Sequence, residues 1–225
     1  IWSCLVGSEM CIRDRENFEG SPIPFTKEYF KISFLHSKDG KSKIKGRLGD
    51  IPALNIKKMS KGLNVIQIES VTKYVEYEKL VKFEIFTREK GYPNLAQKHK
   101  ENNYPENFFE SYKRYAKSLI SVENFDGKDI DTNMDFELIF LDNPLKNLNE
   151  SKRILLEYKN KILADHKVSI MSLNNGYFRK EYVRTNKGGY FDYLFKTNTK
   201  YLIESVVIIE GSNKKKDCLL YTSDA

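Results

Sequence analysis

Through most of the chain, apolar and β-branched positions come in short runs broken by glycine, proline and asparagine. Residues 31–37, closed by a turn at Asp39 and Gly40, and residues 63–70, after the break at Lys61 and Gly62, read as strands. Between residues 76 and 90 the period changes. Tyr77, Leu80, Val81 and Ile85 recur at helical intervals, and Gly91 with Pro93 stops the run, which predicts a helix. A second helix is predicted over 106–120, where Phe108, Tyr112, Tyr115, Ala116 and Leu119 share one face and Lys113, Arg114 and Lys117 the other.

From residue 135 the helical period is gone and strands follow at roughly ten-residue spacing, as in sandwiches. They are read at 135–141, 153–159, 166–172, 177–185, 189–197 and 201–209, with turns at Asn160 and Lys161, at 174–176 and at 186–189. Phe191, Tyr193 and Phe195 alternate with Asp192 and Leu194, so an aromatic face is expected to pack on a partner sheet. The pattern predicts a mainly β protein of two β-sandwich modules, Ig-like or transthyretin-like. The first covers residues 16–145 and carries a helical insertion at about 76–120; the second covers residues 150–216, and the boundary falls at 143–149.

The 225 residues include 38 Lys and Arg against 31 Asp and Glu, a net charge of +7. No apolar run approaches the roughly 18–20 residues that a membrane helix needs. None is longer than four residues, and the run at 206–209 stops at Glu210, so the chain is read as not transmembrane.

Both ends read as non-biological. Residues 9–15 and 217–223 can be back-translated into one inverted repeat, the end sequence of a transposase used in preparing sequencing libraries. On that reading residues 1–15 and 217–225 are translated adapter, expected to carry no structure, and the natural fragment is 16–216. Cys4, Cys11, Cys218 and Trp2 then disappear, which excludes a thiol nucleophile, a disulfide framework and a Cys-ligated metal within the fragment, and the charge stays positive. A fragment cut through both modules is expected to expose unpaired sheet edges and to aggregate.

Candidate chemistry is sparse. Gly40, Lys41 and Ser42 end like a phosphate-binding loop, but Leu35 stands where the motif needs glycine. Asp129, Asp131, Asn133 and Asp135 start like a calcium loop, yet Met134 replaces the turn glycine and Phe140 the bidentate glutamate, so a solvated loop before a strand is the better reading. His36, His99 and His166 are the only imidazoles and are far apart in sequence. His99 and His166, with Asp129 and Asp131, are the remaining weak candidates for metal ligation. No catalytic residue is identified. Nucleic-acid binding is not expected, because the bases near Tyr112 and Tyr115 fall opposite the tyrosines and lysines elsewhere are scattered among acids.

Blocks in order along the chain carry a resemblance: ENFEG at 16–20, PIPF at 22–25, KGRLGDIPAL at 45–54, GLNVIQIES at 62–70, KFEIFTREKG at 82–91, YKRYAKSLI at 112–120 and FELIFLDNP at 136–144. They resemble a bacterial domain-of-unknown-function family often described as a periplasmic component of cobalt or nickel uptake. LEYKNKILADHKV at 156–168 and the turn at 186–189 are similar to transthyretin-like or carboxypeptidase-regulatory-like sandwiches. The resemblance implies a non-enzymatic, exported, periplasmic protein that serves as a binding or accessory module. Its partner would be a membrane metal transporter or another envelope protein, and nickel or cobalt would be held by nitrogen ligands near a mature start. The alternative is a structural or interaction sandwich of the cell envelope with no metal role.

Overall fold

The computed structural model describes residues 18, 24–51, 53, 54, 56, 58–210 and 219–224, the last by backbone alone. The adapter-like residues 1–15 lie outside them. The chain is mainly β, with four sheets of largely antiparallel strands and two helices among the described residues. No helix there is long and apolar enough to cross a membrane.

One long ribbon organises the first half. Strand β3 (Gly62–Ser70) pairs with β6 (Tyr115–Val122), and the same two chains continue, past a bend, as β4 (Lys73–Tyr77) paired with β5 (Phe108–Lys113). At the bend, the step from Glu69 to Lys73 on one chain matches the shorter step from Tyr115 to Tyr112 on the other, an extra residue of the kind that bends and twists a ribbon. Ser70 ties the bend: its N–H donates to the Arg114 carbonyl and its Oγ accepts from the Arg114 N–H, both at 2.9 Å. Before the bend the ribbon joins β1 (Phe30–Ser37) and β2 (Gly40–Lys43) in sheet A, ordered β2-β1-β3-β6. Leu35, Ile66, Ile68 and Ile120 on its inner face are covered by Phe25, Ile44, Ala53 and Leu54.

The ribbon's tip carries α1 (Leu80–Lys90) and α2 (Leu95–Glu101). Their Leu80, Phe83 and Ala96 pack on Tyr77 and Phe108. Gly91 ends α1 in the left-handed conformation, φ 98°, where its N–H reaches Arg88 and Thr87 carbonyls.

The second half is a two-sheet sandwich. Sheet C, ordered β12-β8-β7, is made of β7 (Phe136–Phe140), β8 (Ser151–Tyr158) and β12 (Tyr190–Leu194), with the short β9 (Lys161–Ile162) on β8. Sheet D, ordered β11-β10-β13, is made of β10 (Lys167–Asn174), β11 (Tyr177–Arg184) and β13 (Lys200–Glu204). Phe136, Ile154, Leu156 and Phe191 of sheet C share a core with Val168 and Ile170 of sheet D. The alternating aromatics behave as expected: Phe191 and Phe195 are buried in this core, and the Phe195 and Tyr201 rings meet at 4.9 Å.

β14 (Val207–Glu210) leaves the sandwich for the sheet at the ribbon's tip, sheet B, ordered β14-β15-β5-β4. Val206 and Ile208 enter the helix-covered core and Val207 the sandwich core. The helical tip is also pinned to sheet D: Lys90 donates to Glu204 at 2.7 Å, Lys180 pairs with Glu89, and Lys167 Nζ donates to the Glu89 carbonyl at 2.6 Å.

The structure corrects the sequence reading in three places. Residues 108–122 are strands and not a helix, because the inward positions of the ribbon include the polar Glu110 and Ser118, which hides the two-residue period. The first helix begins at Leu80, since residues 73–77 complete the ribbon. The C-terminal tail, expected to be without structure, contributes strand β15 (Leu219–Asp224). Segment 143–149 connects β7 to β8 within one sheet.

A Cβ at Gly91 would lie 3.0 Å from Lys167 Cβ, and an L residue in this conformation costs about 1–2 kcal/mol. Gly91→Ala is therefore expected to destabilise the chain by at least that amount in denaturant unfolding.

Candidate functional site

The densest group of buried charges lies where the ribbon meets the second sandwich. Lys117 on β6 points away from the sheet A core, toward segment 129–137 that leads into β7. Its ammonium is 3.0 Å from Asp129 and 2.6 Å from Glu137, and it donates to the Ile130 carbonyl at 2.9 Å. The side chains are 8%, 0% and 2% exposed respectively. Two carboxylates against one ammonium leave excess negative charge, which neighbouring donors stabilise. Glu137 accepts from the Thr132 N–H and hydroxyl and from the Met134 N–H, while Asp129 accepts from the N–H groups of Ile130 and Phe140. Gln67 extends the network, its Nε2 donating to the Thr132 carbonyl at 3.3 Å and its Oε1 facing His36 Nε2 at 2.7 Å.

Asp131, two residues from Asp129, is exposed, and its Oδ1 accepts the Asn133 N–H at 2.7 Å. The alternation that suggested a calcium loop thus sends one carboxylate into the junction and one into solvent. Glu157 stands directly across β7–β8 from Glu137. Burial, then the charges of Asp131 and Glu137, push its carboxyl above the ordinary carboxylate range.

The imidazoles lie apart. His99 is buried, with Nε2 2.8 Å from the Pro105 carbonyl and its ring 4.5 Å from Phe108 and 5.5 Å from Tyr104. His166 is half-buried, with Nε2 3.1 Å from the Val206 carbonyl and its ring edge toward Tyr92. Burial lowers the pKa of both, so each is neutral near pH 7 and donates an Nε2–H to its carbonyl. Of the four weak metal candidates, His99 is built into the helix-covered core, His166 stands against β14, Asp129 is committed to Lys117, and Asp131 closes a turn. Among the described residues no group of three or more His, Cys, Asp or Glu is placed to hold a metal ion.

The pairing of Lys117 with Glu137 escaped the sequence reading, as did that of the buried Tyr77 with Glu110. Burial, then the Glu110 charge and hydrogen bond, raise the Tyr77 pKa strongly. No local signal marks these partners, because pairings across 20 or more positions come from sheet topology.

Removing the Lys117 ammonium leaves two buried carboxylates unpaired. Lys117→Ala is expected to cost about 3–5 kcal/mol in urea unfolding, whereas Lys61→Ala, at the exposed pair with Glu123, leaves the midpoint unchanged. The raised Glu157 pKa favours the folded state while the carboxyl is protonated, and that contribution is lost as pH rises through the folded value. Glu157→Gln is therefore expected to raise the melting temperature at pH 7 and to have little effect below about pH 4.

No curated protein and no solved structure matches the chain. A family described as Domain of unknown function (DUF4198) matches residues 9–208, a stretch that takes in the ribbon, its helical tip, the second sandwich and the first residues of β14. With most of its length matched, and the blocks noted above inside the match, this chain belongs to the DUF4198 domain-of-unknown-function family.

Proposed function

We propose that the chain acts by binding, as a non-enzymatic, extracytoplasmic accessory module of the bacterial envelope whose contact with a protein partner is the open edge of β11. The observation that supports this reading is β11 itself. It pairs with β10 along all eight residues and has no strand on its other side among the described residues. Tyr177 is 82% exposed and Tyr182 50%, and Arg179, Lys180 and Arg184 stand among them. Long edges with exposed aromatic side chains suit the addition of an extended segment from a partner.

Photo-crosslinking tests it. With a photoreactive residue at Tyr177, exported protein is expected to give a discrete adduct with an envelope protein, and the same residue at Lys82 on α1 is expected to give none. Absence of a Tyr177 adduct, or an equal yield from Lys82, would sink the reading.

The family resemblance adds a finer proposal, that the partner is a membrane metal transporter and the cargo nickel or cobalt. Because His99, His166 and Asp129 are committed to internal hydrogen bonds, the proposal assigns the ligands to other residues. Calorimetric titration with Ni²⁺ or Co²⁺ is expected to give the same heat for the chain and for its His99→Ala and His166→Gln variants, and heat abolished by either substitution overturns that placement.

A further inference from the structure

Sheet B holds the one parallel pairing among the described residues. β15 runs parallel to β5, with Leu219 opposite Phe109 and Asp224 opposite Lys113, and antiparallel to β14, with Val207 opposite Asp224 and Glu210 opposite Tyr221. β5 and β14 are therefore separated by one full strand, roughly 9–10 Å from axis to axis.

Each wall of this gap is fixed from behind. β5 is paired along its far edge with β4, and its Phe108 lies in the same apolar cluster as Val206 and Ile208 beside β14. The far edge of β14 is satisfied by side chains: Tyr92 Oη accepts from the Ile208 N–H and donates to the Val206 carbonyl, both at 3.2 Å, and His166 Nε2 donates to the same carbonyl. Successive residues of a strand turn their N–H and C=O groups to opposite edges. The bonds of Val206 and Ile208 toward Tyr92 therefore leave those of Val207 and Ile209 aimed into the gap. Closing the gap by direct pairing would pull β14 off Tyr92 and withdraw Val206 and Ile208 from their core, so the backbone groups of both walls are satisfied by an inserted strand. The family match ends at residue 208, before the strand that now fills the gap.

We propose that the gap between β5 and β14 is a strand-acceptor site, which binds an extended peptide segment through backbone hydrogen bonds and in this chain holds Leu219–Asp224. Walls made of main-chain donors and acceptors select extended conformation and length and tolerate varied side chains. The site is separate from the β11 edge and stands whether or not that edge binds a partner.

A protease site placed within residues 211–218 would cut the strand from the folded chain. The nicked protein is then mixed with a fluorescent peptide of residues 219–225. The expected result is a saturable rise in anisotropy that unlabelled peptide competes away. A scrambled peptide of the same composition should bind within threefold, and a peptide N-methylated at alternate residues at least tenfold more weakly. No saturable binding, or equal binding of the methylated peptide, overturns the proposal. In the uncut chain, Ile209→Pro removes an N–H aimed into the gap and Ile209→Lys keeps it. Hydrogen exchange at β5 is expected to speed up at least tenfold in the first variant and to stay at the parent rate in the second. Equal rates in the two variants overturn the proposal.

Discussion

Continuous backbone pairing between residues 62–77 and 108–122 is the constraint from which the rest of the molecule follows. A two-stranded ribbon of this length is marginal alone and is stable only where each stretch finds an apolar cover. Before the bend the cover is Phe25, Ile44, Ala53 and Leu54, from the chain flanking β1 and β2, and after it the two helices. The bend at Ser70 and Arg114 assigns one strand pair to two sheets, so a single hairpin serves two cores. The outward side of the same ribbon presents Lys117 to Asp129 and Glu137, and that contact seats the second sandwich.

Elements with local signatures were legible in the sequence. The αL glycine at Gly91, the turns around Gly40, Asn174 and Asn186, and the alternating aromatics at Phe191 and Phe195 all appear where their chemistry requires. Residues 108–122 were not legible, because strand positions facing inward are usually apolar and here include Glu110 and Ser118. Aromatic residues left at three- and four-residue spacing then imitate a helix. Lys117, placed by that imitation on a solvated face, is among the most buried cations of the described chain. The candidate metal ligands were legible as residue types and illegible as a set, because which donors converge is decided by sheet order, and here sheet order disperses them.

Buried polar groups in this fold are matched to backbone more often than to each other. Glu137 takes main-chain N–H donors as well as Lys117, His99 and His166 each give a proton to a carbonyl, and Tyr92 bridges an N–H and a carbonyl on one strand. Such contacts set position with little flexibility, since the backbone partner is already held by its sheet. The exposed aromatics of β11 are the complement: Tyr177 and Tyr182 keep half or more of their surface open to solvent.

β14 has a mechanical consequence. Its neighbouring residues are rooted in opposite cores, Val206 and Ile208 in the helical tip and Val207 in the sandwich. Neither core can open around this strand without stripping apolar cover from the other, which couples the two halves despite their separate sheets. A load applied at residue 210 would reach both hydrophobic clusters at once, making this short strand the shear pin of the molecule.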